Sequence, residues 1–242
     1  MRLYSELAEW WDVFSPPIHY VEEAAHLSTL LEPAAGARLT LLELGSGGGS
    51  LASHLAAHFD LTLTDLSPAI LEVSRRVNPA AEHIQGDLRT LALGRQFDRV
   101  LLHDSVMYML TEEDLLAALT TARRHCRPDG RVVVAPDFVT ETFAPATESG
   151  GDDAPDGRGL RYLEWTWDPD PTDTHAEVVF AFILRAADGA VRIDSDQQRF
   201  GVYPRATWQR LFARAGLRGD VIMDPWNRDI FVGHPDAGGT RA

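Results

Sequence analysis

The chain has 242 residues, of which 45% are apolar, and it carries a formal net charge of −14. This length and composition are typical of one globular domain with a sizeable core. This negative charge repels phosphate backbones, so no nucleic-acid partner is expected. The chain has no run of about eighteen consecutive apolar residues, so no membrane span is expected.

Two residue types narrow the chemistry further. The chain contains no Lys, since all of its Lys and Arg residues are Arg. This excludes enzymes that form a Schiff base with a lysine and proteins that bind phosphates with a P-loop lysine. The single Cys126 excludes an internal disulfide and a multi-cysteine zinc site, and no metal site is expected. Because the N-terminus lacks a signal-peptide layout, we expect a cytoplasmic protein.

Strands alternate with helices through the first part of the chain. Two helices are predicted at 4–12 and 18–32, separated by Ser15-Pro16-Pro17. A buried-type strand is predicted at 40–44, and further strands are predicted at 61–64, 83–85, 97–102 and 131–135. Between them, helices are predicted at 50–58, after Ser67-Pro68, and from Thr111 to about Arg127, where Ser67 and Thr111 have cap positions. This alternation predicts a parallel sheet with helices on both faces.

The pattern changes after the fifth strand. The segment 149–159 is rich in Gly, Asp and Pro and predicts a loop. Three antiparallel strands are predicted at 160–167, 176–185 and 191–202. An amphipathic helix at 204–215 and two short strands at 220–223 and 230–233 complete the pattern. We therefore predict one α/β domain with an inserted three-strand antiparallel layer.

The loop after the first strand carries the strongest functional signal. It reads Gly45-Ser46-Gly47-Gly48-Gly49 and leads into a helix, so backbone can approach a nucleotide-like ligand closely. Position 50 is Ser, whereas dinucleotide-binding folds favour a third glycine there. Glu43, two residues before the loop, suits an ammonium group better than a pyrophosphate.

Acids also follow the next two strands. Asp65 ends the second strand and can accept both hydroxyls of a ribose. Asp87 ends the third strand and can accept from an adenine amino group. The carboxyl ends of parallel strands meet at the edge where open sheets bind ligands, so these acids are expected to share one site.

These residues resemble a known family. The run from Glu43 to Gly49, Asp65, Gly86-Asp87-Leu88 and 97–100 is similar to class I S-adenosylmethionine-dependent methyltransferases. The resemblance is strong over 38–136, and it implies a Rossmann-like, seven-stranded, mostly parallel sheet with an antiparallel C-terminal strand. It implies S-adenosylmethionine as cofactor, held by Tyr20, Glu43, Gly45, Ser46, Gly47, Asp65, Leu66, Asp87, Leu88 and the backbone of His103.

A finer resemblance is to small-molecule N-methyltransferases that dimethylate amino sugars on nucleotide carriers. Its marks are Tyr4, Trp11-Asp12, His19-Tyr20, Asp104 to Tyr108, Glu141-Thr142-Phe143 and the layer at 160–202. Methyl transfer to a small-molecule acceptor is therefore expected, with N-methylation slightly preferred. Candidate bases are His103, Asp104 and His19, and candidate acceptor contacts are Tyr4, Trp11, Tyr108 and Arg228.

Several alternatives stay open from the sequence. They are an O-methyltransferase for a phenol or small acid, an NAD(P)-dependent oxidoreductase and a non-catalytic nucleotide-binding scaffold. Monomer and homodimer are both compatible with the chain. The predicted division is a helical lid at 1–33, a cofactor-binding core at 38–148, a cap at 149–203 and a C-terminal helix and hairpin at 204–234, all within a single domain 1–242.

Overall fold

The computed structural model describes residues 1–32, 36 and 38–236. Seven strands form the main sheet: β1 Leu39–Leu44, β2 Phe59–Asp65, β3 Glu82–Gln85, β4 Phe97–His103, β5 Cys126–Ala135, β10 Leu217–Met223 and β11 Asp229–Pro235. Four form a second sheet: β6 Ala146–Gly150, β7 Gly159–Trp167, β8 His175–Arg185 and β9 Val191–Gly201. The α-helices are α1 Trp11–Phe14, α2 Val21–Leu31, α3 Ser50–Leu55, α4 Pro68–Val77, α5 Glu112–His125 and α6 Arg205–Arg214. Short 3₁₀ turns cover Ala8–Trp10, Pro17–Tyr20 and Ser105–Tyr108.

The main sheet has the predicted topology. Its strand order is β10-β11-β5-β4-β1-β2-β3, and β11 runs antiparallel to both β5 and β10. The remaining pairs are parallel. The chain builds β1 to β3 outwards and then crosses back to place β4 beside β1. The order therefore reverses between β1 and β4, and ligands of open α/β sheets bind at such a point.

Local capping signals place two helices as predicted. The Ser67 side chain accepts from the Ile70 N–H, and Pro68 occupies the first position of α4. The Thr111 hydroxyl accepts from the Asp114 N–H at the start of α5, whose first turn is acidic. These caps satisfy N–H groups that the helix itself leaves unpaired. Both helices then bury apolar side chains: Leu115 packs in a cluster with the main sheet, and Ile70 packs in a cluster with the N-terminal segment and the second sheet.

The inserted layer has one more strand than predicted. β6 pairs antiparallel with β7, so the second sheet has four strands in the order β6-β7-β8-β9. The sequence at 146–149 shows no alternation because these side chains are exposed. β8 does alternate, with Phe180 and Phe182 facing inwards and Ile183 half-exposed on the outer face. We call this four-stranded layer the cap sheet.

The N-terminal segment departs from the predicted helix at 4–12. It forms turns, the 3₁₀ turn Ala8–Trp10 and the single-turn α1. Tertiary contacts replace helical ones here, because the Leu3 N–H donates to Asp196 on the cap sheet and Ser67 Oγ donates to the Tyr4 carbonyl. The segment thereby ties the cap sheet to the main sheet. Of the helices described, none has the length and apolar character that crossing a membrane requires.

Candidate active site

A cavity of about 540 Å³ lies at the carboxyl ends of β1, β2 and β4. The predicted site residues that line it are Tyr4, Trp11, Tyr20, Glu43, Gly45, Ser46, Gly47, Asp65, Leu66, Asp87, Leu88, His103, Asp104 and Tyr108. Two predicted residues, His19 and Arg228, are not among the lining residues. The structure therefore brings most of the predicted site together at the point where the strand order reverses.

The glycine loop requires glycine at its first position. Gly45 has φ +76°, and a Cβ there would collide with the Ser105 side chain. The N–H groups of Gly45 and Ser46 both donate to the Thr64 carbonyl at 2.8 Å, which fixes the loop against β2. The loop backbone is thus held against the cavity, with no side chain at position 45 to exclude a ligand.

Substitution of Gly45 tests this packing. Gly45→Ala is expected to lower the free energy of unfolding by about 2–5 kcal/mol, from the left-handed backbone and the collision with Ser105 together. Gly94 is a matched control, because it has φ +68° and a Cβ added there would meet no atom within 4 Å. Gly94→Ala should lose only the conformational part, about 1–2 kcal/mol. Equal losses in urea unfolding would contradict the close contact.

Asp65 is oriented by backbone donors at the end of β2. The Gly47 N–H donates to Oδ2 at 3.0 Å, and the Ser67 N–H donates to Oδ1 at 2.9 Å. Burial raises the pKa of Asp65 despite these hydrogen bonds. Because a carboxylate has about four acceptor positions, each oxygen keeps room for a further donor.

Asp87 has a partner that the sequence reasoning missed. Arg89 Nε donates to Oδ1 at 3.0 Å and Arg89 Nη2 to Oδ2 at 2.7 Å, and the Arg89 hydrogen bonds hold the pKa of Asp87 low. Arg89 also pairs with Asp114 and lines the cavity. The only signal in the sequence is the spacing of two residues between Asp87 and Arg89. A ligand amino group at Asp87 would therefore share the carboxylate with a guanidinium.

Glu43 is a buried carboxyl with an unsatisfied oxygen. Its residue is 2% exposed, and its Oε2 is buried with no hydrogen-bond partner. Burial raises the pKa of Glu43 to about 7, with the nearby Asp65 adding to the effect and His103 opposing it. Burying an ionised carboxyl that accepts no hydrogen bond costs free energy. A cationic ligand group beside Glu43 would therefore stabilise its ionised form.

His103 lies at the centre of a buried charge network. His103 Nε2 donates to Glu23 Oε1 at 3.0 Å and lies 3.1 Å from Asp104 Oδ1. Glu23, from α2, also pairs with Arg228, and Arg228 Nε donates to Asp224 at 2.7 Å. We call Glu23, His103, Arg228 and Asp224 the lid network, because it joins α2 to the floor of the cavity.

This network changes the role predicted for His103. Burial alone would lower the pKa of His103, but Asp104, Glu23 and Glu43 together raise it to about 9. Burial would likewise raise the pKa of Glu23, yet His103 and Arg228 lower it to about 2. His103 is therefore an imidazolium at neutral pH, and its Nε2–H is already directed at Glu23. It is poorly suited to act as a base.

The pKa of His103 can be measured directly. Glu23→Gln removes one of the carboxylates that raise it, so the His103 pKa should fall from about 9 towards the ordinary 6.5. The same pKa shift affects the stability of the wild type. The contribution of His103 to the free energy of unfolding should be complete below pH 6.5 and lost as pH rises through about 9. That from Glu23 should be present above pH 4.5 and lost as pH falls towards about 2. NMR titration of the imidazole checks this, and the neighbouring exposed Glu22→Gln should leave the His103 pKa unchanged.

Two predicted residues lie elsewhere. The Arg228 side chain is 17% exposed and engaged with Glu23 and Asp224, so its place in the lid network does not favour contact with an acceptor. His19 is 48% exposed and its Nε2 lies 3.0 Å from Asp152 Oδ2. This position at the surface does not favour His19 as a base.

Aromatic side chains form one wall of the cavity, and the Trp11 ring packs against the glycine loop at Gly47 and Gly48. The hydroxyls of Tyr4 and Tyr108 are 2.9 Å apart, and Tyr108 donates to Gln198 Oε1 on β9 at 2.6 Å. The Trp11 ring lies 5.2 Å from that of Tyr4, and the Tyr20 hydroxyl is 2.7 Å from Ser15 Oγ. Burial raises the pKa of both Tyr4 and Tyr20 well above the ordinary value, so both phenols stay neutral.

Comparison with known proteins identifies the family. Residues 41–130 match the family model described as "Methyltransferase domain". A Streptomyces venezuelae protein named dTDP-3-amino-3,4,6-trideoxy-alpha-D-glucopyranose N,N-dimethyltransferase is 32% identical over 219 residues, which cover 89% of this chain and 91% of that protein. The chain belongs to the S-adenosylmethionine-dependent methyltransferases. S-adenosylmethionine is its methyl donor, and its acceptor is a small molecule.

Other relatives agree with this assignment to the methyltransferases. The dTDP-3-amino-3,6-dideoxy-alpha-D-glucopyranose N,N-dimethyltransferase of Streptomyces fradiae is 29% identical over 243 residues, 97% of this chain and 92% of that protein. The crystal structure of Streptomyces venezuelae DesVI has a TM-score of 0.80 at 29% identity, covering 89% of this chain and 92% of that one. The sugar N-methyltransferase KedS8 from a Streptoalloteichus species has a TM-score of 0.73 at 25% identity, covering 92% and 88%.

The methyltransferase assignment also accounts for Ser50. In a dinucleotide oxidoreductase, the third glycine of the loop would occupy this position. Here the Ser50 side chain is buried and Oγ donates to the Ser15 carbonyl at 2.5 Å, which attaches the N-terminal segment to α3. The departure from the dinucleotide pattern therefore has a structural use in this enzyme, and the relatives above are methyltransferases rather than oxidoreductases.

Proposed function

We propose that this methyltransferase dimethylates the amino nitrogen of a sugar carried on a nucleotide. Its relatives are named as N,N-dimethyltransferases of dTDP-linked amino sugars. The observation that carries the proposal is Asp104, which lines the cavity and whose Oδ1 lies 3.1 Å from His103 Nε2 but accepts no hydrogen bond from it, because the Nε2–H is directed at Glu23. An amine brings N–H donors and a proton to such a carboxyl, whereas a carboxylate acceptor would be repelled by it.

The donor end of the cavity suits S-adenosylmethionine. The unsatisfied Glu43 carboxyl would hold the ammonium of the methionine part, and Gly45, Ser46 and Gly47 provide close backbone approach. Asp65 would take the ribose hydroxyls with the acceptor positions that Gly47 and Ser67 leave free. The adenine would lie by Leu66, Asp87 and Leu88, with Tyr20 and the His103 backbone at the methionine end.

The acceptor end would be formed by Tyr4, Trp11 and Tyr108 together with Asp104. S-adenosylmethionine would supply a methyl group on a positively charged sulfur. The amine nitrogen would attack the methyl carbon in line with the C–S bond, which breaks to release S-adenosylhomocysteine. The aromatic side chains exclude water and align the acceptor, and alignment can be worth up to about 7–11 kcal/mol in favourable cases. Little net charge develops, since the positive charge moves from sulfur to nitrogen.

Proton removal is the second task of the site. The acceptor nitrogen must be neutral to attack, and for an amine with a pKa near ~10 the neutral form at pH 7 costs about 4 kcal/mol. The carboxylate of Asp104 can hold the N–H and receive its proton. His103, as an imidazolium, cannot receive it but keeps a positive charge beside Asp104 that favours the ionised carboxylate.

Product analysis tests the proposed function. Purified enzyme would be incubated with S-adenosylmethionine and the 3-amino-3,6-dideoxy sugar nucleotide of the Streptomyces fradiae relative. We expect monomethyl and then dimethyl products by mass spectrometry. The matched control acceptor has a hydroxyl in place of the amino group and should not be methylated. Methylation of that hydroxyl, with the amine untouched, would contradict N-methylation.

The division into lid, core, cap and C-terminal hairpin stays a prediction, as do the cytoplasmic location and the open choice between monomer and homodimer. Contacts of the N-terminal segment support the lid role, since Tyr4, Trp11 and Tyr20 all line the cavity. Light scattering of the purified enzyme would measure the oligomeric state.

A further inference from the structure

The inner face of the cap sheet carries two buried polar side chains that have no role in the function proposed above. On β8 this face is apolar, with Val178 and Phe180 buried. Their cross-strand neighbours on β9 are Gln198 and Asp196, which are only 4% and 5% exposed. Buried polar groups cost free energy unless they are hydrogen-bonded, so the partners of these two side chains indicate why they are there.

Both side chains belong to a chain of hydrogen bonds that ends at the cavity. Asp196 Oδ2 accepts from the Leu3 N–H at 2.9 Å and from Gln198 Nε2 at 3.0 Å. Gln198 Oε1 accepts from the Tyr108 hydroxyl at 2.6 Å, and the hydroxyl oxygens of Tyr108 and Tyr4 are 2.9 Å apart. Tyr4 and Tyr108 both line the cavity. The chain of hydrogen bonds therefore runs from the cap sheet to the acceptor end of the site.

The protons along this chain have one consistent order. A carboxylate has no proton to donate, so the NH₂ group of Gln198 faces Asp196 and its carbonyl oxygen faces Tyr108. The reversed amide would place two buried acceptor oxygens against each other. Each phenol has a single proton, and burial raises the pKa of both Tyr4 and Tyr108 well above the ordinary value, so both keep it. Since Tyr108 donates its proton to Gln198, the hydrogen bond between the two phenols is donated by Tyr4.

We propose that Gln198 is a positioning residue: held in one orientation by Asp196, it fixes this proton order, so that Tyr4 offers the cavity lone pairs and no proton. This inference rests on the proposed function for the identity of the nucleophile. An amine attacks with its lone pair, and a hydroxyl that donated to that lone pair would compete with the methyl carbon for it. Tyr4 and the Asp104 carboxylate instead accept the N–H groups of the amine and leave its lone pair free. The lone pair then forms the C–N bond, the C–S electron pair returns to sulfur and the amine proton passes to Asp104.

Neutron diffraction from a deuterium-exchanged crystal of the enzyme, which needs no acceptor, tests the proton order. We expect the hydroxyl deuterium of Tyr4 on the line to the Tyr108 oxygen, and that of Tyr108 on the line to Gln198 Oε1. A Tyr4 deuterium directed into the cavity, with the Tyr108 deuterium directed at Tyr4, would overturn the proposal. This result does not depend on which acceptor the enzyme methylates.

Kinetics with the dTDP-linked amino sugar test the positioning role. Gln198→Met keeps the size of the side chain but leaves the Tyr108 proton without its acceptor. Tyr108 then donates to Tyr4, and Tyr4 becomes a donor to the amine, so kcat should fall by about tenfold, the upper value for one hydrogen bond. The exposed neighbour Gln197→Met should match the wild type. Affinity for S-adenosylhomocysteine should be unchanged in both variants, which would show that both are folded.

A double variant separates this role from a merely structural one. Tyr4→Phe alone removes one acceptor of an N–H group and should lower kcat by about threefold. Because Gln198 is proposed to act through the Tyr4 hydroxyl, Gln198→Met combined with Tyr4→Phe should be no slower than Gln198→Met alone. Losses that multiply in the double variant, or full kcat in Gln198→Met, would overturn the proposal. If the wild type leaves the amino sugar unmethylated, the proposed function fails while neutron diffraction still decides the proton order.

Discussion

Replacing Asp65 by alanine is expected to weaken S-adenosylhomocysteine binding by about 100-fold or more. Asp65 keeps acceptor positions for two ribose hydroxyls beside the Gly47 and Ser67 N–H groups. A hydrogen bond to a charged group is worth about 1.5–3 kcal/mol, so two would contribute about 3–6 kcal/mol, and each 1.4 kcal/mol is about tenfold in affinity. Isothermal titration calorimetry measures the change.

The control for Asp65 lies on the same strand. Asp60 lies near the N-terminal end of β2, far along the strand from Asp65. Its side chain is 61% exposed and pairs with Arg38. Asp60→Ala should leave S-adenosylhomocysteine affinity within about twofold, because an exposed ion pair contributes little. Circular dichroism would confirm that both variants are folded. An unchanged affinity in folded Asp65→Ala would contradict its ribose role.

Asp104→Asn is expected to lower kcat by about 10²–10⁴-fold, the usual contribution of a positioned acid or base. The amide keeps the size of the side chain but cannot receive the proton of the amine. Binding of S-adenosylhomocysteine should change by less than about threefold, because Asp104 is assigned to the acceptor rather than the donor. Initial-rate assays with the amino-sugar nucleotide measure kcat, and calorimetry measures the affinity for S-adenosylhomocysteine.

Two further variants separate the roles of neighbouring groups. His103→Gln should retain more activity than Asp104→Asn, because the imidazolium only supports the ionised carboxylate. Asp129→Asn, an exposed acid exchanged in the same way, should match the wild type. If Asp104→Asn kept full kcat while His103→Gln lost it, the proton would pass to His103, and the assignment of Asp104 would be wrong.

The residues at the methyl-donor end of the site could largely be predicted from short stretches of sequence. Gly45 and Asp87 each follow a short strand and Asp65 ends one, and parallel pairing of those strands brings their carboxyl ends to one edge. The caps Ser67 and Thr111 work in the same way, since each satisfies N–H groups only three residues away. Such features could be predicted because their geometry depends on neighbours in the chain.

The charge partners could not be predicted. Glu23 is 80 residues from His103 and 205 from Arg228, so only the folded sheet brings them together. The neighbouring carboxylates raise the pKa of His103, which does not favour the predicted role as a base, and the ion pairs of Arg228 with Glu23 and Asp224 do not favour its contact with an acceptor.

The cap shows a second limit. β6 has exposed polar side chains and no apolar alternation, so only its pairing with β7 reveals it as a strand. The prediction of an N-terminal helix at 4–12 was wrong because the segment makes a backbone contact with the cap sheet and an aromatic contact within itself in place of α-helical hydrogen bonds. In both places tertiary pairing outweighs local propensity.

The central claim is that the donor lies on the glycine loop with its reactive sulfur directed at Asp104 and the aromatic wall. A crystal structure with S-adenosylhomocysteine tests it most directly. We predict the ribose hydroxyls at Asp65, the ammonium at Glu43 and the sulfur facing the space between Asp104 and Tyr108. A ligand bound in the opposite direction, or with its sulfur turned away from Asp104, would contradict the account.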